Sequence, residues 1–273
     1  VALSHFRLAT KLAPEDPQGH CNFGATLVQI GEVDGGIAAL EKAIELDPAF
    51  PMALHNLGLA LQKKGEAEEA FVYFQRAVDA GPDFEPARRS LAAALLKSGK
   101  PEEVIATYRE VTLAHPEDAK AHANLAEVLV TQDRFEEALA SCQRAIQLDP
   151  DLAMAHNTIG AVFNKQEKPD EALASFRKAV ELDPKMAIAH SNLGYALMLQ
   201  DDFDAAIKSC RHAIWLDPKL SLAYGNLAIA LMANGNLEEA VSLCQRAILL
   251  EPELATAHGN LGASLFQQGK IEA

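Results

Sequence analysis

The chain has 273 residues, 49% apolar and 23% charged, which is enough to bury a core and too apolar for a disordered chain. Its net charge of −14 argues against nucleic acid, whose backbone is gripped by clustered Lys and Arg, and against anionic membrane surfaces. No apolar run approaches the roughly 20 residues that cross a bilayer and no signal peptide opens the chain, so membrane insertion is not expected.

A spacing of 34 residues organises everything that follows. Pro14, Pro48, Pro82, Pro116, Pro150, Pro184, Pro218 and Pro252 recur at that interval without a slip. Let the third residue after each proline be position 1. A partial repeat at 1–16 then precedes seven full repeats, 17–50, 51–84, 85–118, 119–152, 153–186, 187–220 and 221–254, and a partial repeat at 255–273. We expect them to form one domain.

Residues 1–16 read as a lone second helix, with Ala2, Phe6, Ala9 and Pro14 at positions 20, 24, 27 and 32. Each full repeat predicts a helix pair. In the first helix, positions 7 and 11 (Leu57 and Leu61, or Leu193 and Leu197) are apolar and share one face. Position 8 is always small: Gly24, Gly58, Ala92, Ala126, Gly160, Gly194, Ala228, Gly262. Glycine inside a helix costs about 1 kcal/mol against alanine, so its recurrence here predicts a close backbone approach. Gly31, Gly65, Gly99, Gly235 and Gly269, at position 15, turn the chain between helices.

The second helix carries small residues at position 20 (Ala70, Ala138, Ala172) and position 27 (Ala77, Ala145, Ala179), with Phe74, Cys142, Phe176, Cys210 or Cys244 between them at position 24. That pattern packs two antiparallel helices. Acids open this helix (Glu68-Glu69, Glu136-Glu137), and bases such as Arg76, Arg144 and Arg211 lie toward its end, an order that suits the helix dipole. The position-32 proline stops it. Repeat 85–118 is the least regular, with Pro86, Val104 and Val111, and predicts a local change of pitch. The chain stops at Ala273 where a second helix should begin, so we expect it to be a piece of a longer one.

Positions 7, 8, 11, 20, 24, 27 and 32 are those of the tetratricopeptide repeat family, and the resemblance covers the whole chain. It implies an all-α fold, a right-handed superhelix of helix pairs whose first helices line a concave groove, and a non-catalytic module that binds a protein or extended peptide. The usual tryptophan at position 4 is replaced by His20, Leu54, Arg88, His122, His156, His190, Tyr224 and His258.

Position 6, which the resemblance turns toward the groove, reads Asn22, Asn56, Ser90, Asn124, Thr158, Asn192, Asn226, Asn260. Asparagine is a poor helix former but offers a donor and an acceptor. A ladder of such amides either grips the main chain of an extended peptide or bonds to the next repeat. With Asn-Leu-Gly at 56–58, 192–194 and 260–262, the ladder resembles that of O-linked N-acetylglucosamine transferases, which implies a substrate-recruiting arm for a separate catalytic domain.

His55 and Arg89 make the first half of the groove polar, whereas Tyr195, Met198, Met232 and Phe266 make the second half apolar and adaptable, unless they pack on neighbouring repeats. The carboxylate clamp of chaperone-tail binders does not form, since Arg89 and Lys120 are the only bases at its positions. Trp215 and Leu249 share position 29 and suggest an outer interface for weak self-association.

No cofactor, metal or catalytic residue is expected. Histidines at position 4 of adjacent repeats would stand about 10 Å apart, a helix-pair spacing, against the ~2.0–2.1 Å of a zinc–nitrogen bond. Cys21, Cys142, Cys210 and Cys244 show no zinc spacing and read as free thiols in a reducing compartment, which points to the cytoplasm. No nucleophile elbow or phosphate loop appears.

Overall fold

The computed structural model describes residues 2–270, and among these every regular element is a helix. Val1 and the last three residues, where the second helix of the terminal partial repeat was expected to begin, lie outside the described residues.

The helices gather into two compact units, Val1–Ala114 and His115–Ala273. The first holds α1 (Ala2–Leu12), α2 (Pro17–Ile30), α3 (Val33–Leu46), α4 (Pro51–Lys64), α5 (Ala67–Ala80), α6 (Glu85–Lys97) and α7 (Pro101–Ala114). The second holds α8 (Ala119–Thr131), α9 (Phe135–Leu148), α10 (Ala153–Lys165), α11 (Pro169–Leu182), α12 (Ala187–Met198), α13 (Phe203–Leu216), α14 (Ser221–Ala233), α15 (Leu237–Leu250) and α16 (Ala255–Gln267). Within each unit, even-numbered first helices pair with the odd-numbered second helices that follow. Pairs then stack through contacts such as α3 on α4, α11 on α12 and α12 on α14.

The crossing inside each pair is as tight as the small residues require. A β-carbon at Gly24 would stand 2.8 Å from the Gly36 carbonyl, and one at Gly58 or Gly160 would overlap the ring of Phe74 or Phe176. The alanines at positions 20 and 27 of unit two are fully buried from α9 to α15, as are Cys142, Cys210 and Cys244 between them. Side chains at position 21 and on the next first helix then close the core, as Leu173 does with Ala196 and Leu197.

The turn between helices is left-handed in every repeat. Gly31, Gly65, Gly99, Gly235 and Gly269 have φ between 70° and 97°. The remaining three repeats force an acid into the same conformation: Asp133 (54°), Glu167 (58°) and Asp201 (60°).

At the other end of the pair, the residue before the proline is extended, for example Asp47 at φ −138° and ψ 94°, as the proline ring demands. Its carboxylate accepts from the amide two residues on, 3.1 Å away in Asp47 and 3.0 Å in Asp183, and so closes the turn. The proline carbonyl is taken by the residue at position 4. His20, His122, His190 and His258 reach it at 2.9–3.0 Å through Nε2, Tyr224 donates at 3.1 Å, and Arg88 donates to Pro82. Position 4 therefore ties these six first helices to the turn before them.

The bases of these second helices lie outside the last turn, and two of them act across repeats. Arg144 bonds Glu117 at 2.8 Å and Arg211 bonds Glu239 at 2.9 Å. Repeat 85–118 forms both of its helices, with Val104 and Val111 buried and Pro86 in the first turn of α6.

Candidate functional site

The position-6 amides are held by a hydrogen bond that repeats along the chain. Asn56 Nδ2 donates to Cys21 Sγ (3.4 Å), Asn192 Nδ2 to Asn157 Oδ1 (3.0 Å), and Asn226 Nδ2 to the Ser191 carbonyl and Oγ (3.2 and 3.0 Å). Asn260 Nδ2 donates to the Gly225 carbonyl at 3.5 Å. Each bond runs to position 5 of the preceding repeat. Where position 6 is Ser90, His55 at position 5 meets its hydroxyl at 3.0 Å. Thr158 turns back to the Met154 carbonyl of its own helix instead.

Where the partner is a carbonyl, which can only accept, as for Asn226 and Asn260, that bond fixes which way round the amide sits. With nitrogen committed to the preceding repeat, the oxygens of Asn56, Asn192, Asn226 and Asn260 accept no bond among the described residues, yet none is sealed from solvent. They are open acceptors, with orientation fixed at Asn226 and Asn260. Asn22 differs, because its oxygen takes the Gln18 amide at 2.9 Å. Asn124 and Asn226 retain only 9% and 8% of their exposure, so little more than one edge of each can be touched.

In the first unit, His55 and Arg89 come together. With Leu59, Glu85, Pro86 and Ser90 they line a shallow depression of about 370 Å³ between α4 and α6. The imidazole of His55 is buried between Phe74 and Phe84, whose ring centroids lie 5.8 and 5.7 Å away, and this burial pushes its pKa below the ordinary 6.5.

In the second unit, Tyr195 lines a separate depression of about 460 Å³ with Asn164, Lys165, Glu167, Pro169 and Leu199. Met198 packs partly on the cluster around Phe176 and Leu197, and Met232 on the one around Leu231 and Cys244. Phe266 stays 69% exposed.

On the second helices, Trp215 and Leu249 are 74% and 70% exposed. The indole stacks on His212 at 5.4 Å, and His212 meets His190 edge-on at 4.5 Å. The position-29 pattern pointed to Trp215; the histidines beside it come from positions 26 and 4 of one repeat and needed the helix pairing to be seen. All four thiols are free and buried, and desolvation pushes those of Cys142 and Cys210 up to about 12. No cluster of three or more metal-ligating side chains exists among the described residues, and no described helix is long and apolar enough to cross a membrane.

Comparison with known proteins follows the same frame. Family models described as tetratricopeptide repeat match residues 52–80, 89–153, 187–220 and 221–254, and a model described as TPR repeat matches 24–65 and 160–201. A search of curated proteins gave no match. Among solved structures, the Cut9–Hcn1 hetero-tetramer of APC/C aligns over 96% of this chain with TM-score 0.65 and 18% identity. The chain spans about half (52%) of that protein's length. A tetratricopeptide repeat protein from Parabacteroides merdae aligns over 91% of this chain and 98% of its own, with TM-score 0.68 and 14% identity. YrrB, described as a TPR protein with an unusual peptide-binding site, aligns over 67% of this chain and 95% of its own, at TM-score 0.46 and 24% identity. At these identities the first two likenesses show the fold alone.

Proposed function

Because this chain belongs to the tetratricopeptide repeat family, whose fold generally mediates protein–protein interaction, we propose that it binds an extended segment of a protein partner along its position-6 row. The observation that carries this reading is the set of open amide oxygens at Asn56, Asn192, Asn226 and Asn260, each oriented by a bond from its own nitrogen. A peptide N–H needs such an acceptor, and an oriented one loses little entropy on binding. Asn22 and Asn124 stand at the same position of their repeats, the former with its oxygen already bonded to Gln18.

In the second unit Tyr195, Met198, Met232 and Phe266 would take an apolar stretch of ligand, and in the first unit His55 and Arg89 would take a polar or acidic one. No catalysis or cofactor is part of this reading, and the four free thiols favour the cytoplasm.

The test is a pull-down from source-cell lysate with the wild type and with Asn192→Ala, Asn226→Ala, Asn260→Ala combined. The triple variant also loses four bonds between repeats, so a control carries Asn157→Ala and Ser191→Ala, which remove side-chain partners and leave all the position-6 amides in place. Helicity must match by circular dichroism. Partners held by the wild type and the control but lost by the triple variant support the reading. Equal capture by all three forms overturns it and makes the row structural.

Two other readings each have one observation in their favour. The three Asn-Leu-Gly runs favour a recruiting arm of a glycosyltransferase; a catalytic domain in the same gene supports that, and a complete gene without one removes it. The exposure of Trp215 and Leu249 favours self-association. Light scattering should then show a mass that grows with concentration and ceases to do so in Trp215→Ala.

A further inference from the structure

One type of notch occurs at several points between a second helix and the first helix of the next repeat. Its size follows the residue at position 17. Where that is Phe135 the notch holds about 340 Å³, and Gln166 at position 14 of the next repeat lies across it. Where it is Pro169 the volume is about 460 Å³. Where it is Ala67 the volume is about 730 Å³. Other repeats place Val33, Pro101, Phe203 and Leu237 at position 17.

A second departure opens the same place. Position 14 is glutamine at 132, 166, 200 and 268, long enough to reach back across the notch, as Gln200 Nε2 does to Asp170 Oδ1 at 2.7 Å. At the large notch it is Ser98, whose hydroxyl bonds the Ala94 carbonyl of its own helix at 2.9 Å. Two short side chains, Ala67 and Ser98, thus leave a groove between α4, α5 and α6 within the size range of small-molecule sites, roughly 300–1,000 Å³.

Its chemistry is mixed in a definite way. Ala67, Ala70, Phe71, Phe74 and Ala94 supply apolar walls. Lys97, Lys100 and Glu68 supply the charges, two positive against one negative in a chain of net charge −14. Lys100 is paired with Glu103 at 3.0 Å, whereas Lys97 makes no ion pair among the described residues.

We propose that this groove is a binding site for a compact aromatic or branched aliphatic anion, its apolar body against Ala67, Phe71 and Ala94 and its charge at Lys97. None of the lining residues is at position 6, so this site stands or falls independently of the peptide-binding reading.

Fluorescence titration with 1-anilinonaphthalene-8-sulfonate tests it, with uncharged N-phenyl-1-naphthylamine as the comparison. Ala67→Phe installs the residue that Phe135 and Phe203 supply elsewhere, and it should weaken both dyes by about tenfold or more. Ser98→Gln restores the bridging side chain and should act in the same direction, which keeps the test open if Ala67→Phe fails to fold. Lys97→Gln should weaken the sulfonate by about threefold and spare the neutral dye. Dye bound elsewhere, at the exposed Phe266 for instance, survives all three changes. Unchanged sulfonate binding in folded Ala67→Phe or Ser98→Gln overturns the site, and equal effects of Lys97→Gln on the two dyes overturn the assignment of an anion.

Discussion

Glycine in this chain answers to its surroundings rather than to helix propensity. At Gly194 an added β-carbon would overlap Cys210 Sγ and stand 3.1 Å from the Ala206 carbonyl. Gly194→Ala should therefore lower unfolding free energy by about 1–3 kcal/mol in urea titration, despite the gain in propensity. At Gly259 the same atom meets nothing within 4 Å, so Gly259→Ala should raise it by up to about 1 kcal/mol.

Histidine shows the other residue-scale effect. Burial lowers the pKa of His55, and of His190 against the opposing pull of the Pro184 carbonyl and Asp183. The unfolded chain then takes up these protons first, so stability is full above 6.5 and falls as pH drops below it. Urea midpoints at about pH 7.5 and 5.5 should differ, and His55→Gln with His190→Gln should shrink the difference.

At this scale the close approach at position 8 was legible, because glycine has no other reason to recur inside a helix. The role of position 4 was not. Histidine was read as filling the tryptophan position, but its bond goes to a carbonyl six residues earlier, across a proline turn whose shape the spacing does not reveal.

Among elements, the turn between the two helices of a pair is the informative one. Five glycines announced its left-handed residue. Asp133, Glu167 and Asp201 are the polar breaks at the same position; aspartate tolerates positive φ better than most residues, whereas glutamate does not signal it. A side chain there costs about 1–2 kcal/mol, part of which glycine would return as greater freedom in the unfolded chain. Asp133 recovers something through Lys165 Nζ at 2.6 Å, an exposed pair of small worth. Glu167→Gly should therefore stabilise by about 0.5–1 kcal/mol, and Asp133→Gly by less, as measured by urea midpoint.

The position-6 bonds were foreseen only as one of two alternatives. Choosing between them requires the register of one first helix on the next, which the 34-residue period leaves open. The groove beside Ala67 likewise depends on a residue one repeat further on, Ser98.

For the whole molecule, the period runs unbroken past residue 114, so the sequence reads as a single array, whereas the helices gather into two compact units. Repeat proteins are held by nearest-neighbour terms, and three or more repeats suffice for a stable stack. The second unit contains four such pairs and α16. A fragment of residues 115–273 should thus unfold cooperatively by circular dichroism with the helicity it has in the whole chain. A fragment that is unstructured would show that unit two leans on unit one for its stability.

Trp215 makes this chain awkward to watch by the usual optical route. It is the sole tryptophan and stands 74% in water, with only the His212 ring against one face. Its emission in the native state should already sit at the red, quencher-accessible end, so denaturation would shift it little, and melting of the first unit would leave no trace in it at all. The same position makes it a sensitive tag for the opposite event: a blue shift and protection from acrylamide on adding a second protein would mark the second helices around Trp215, not the amide row, as the face that has been covered.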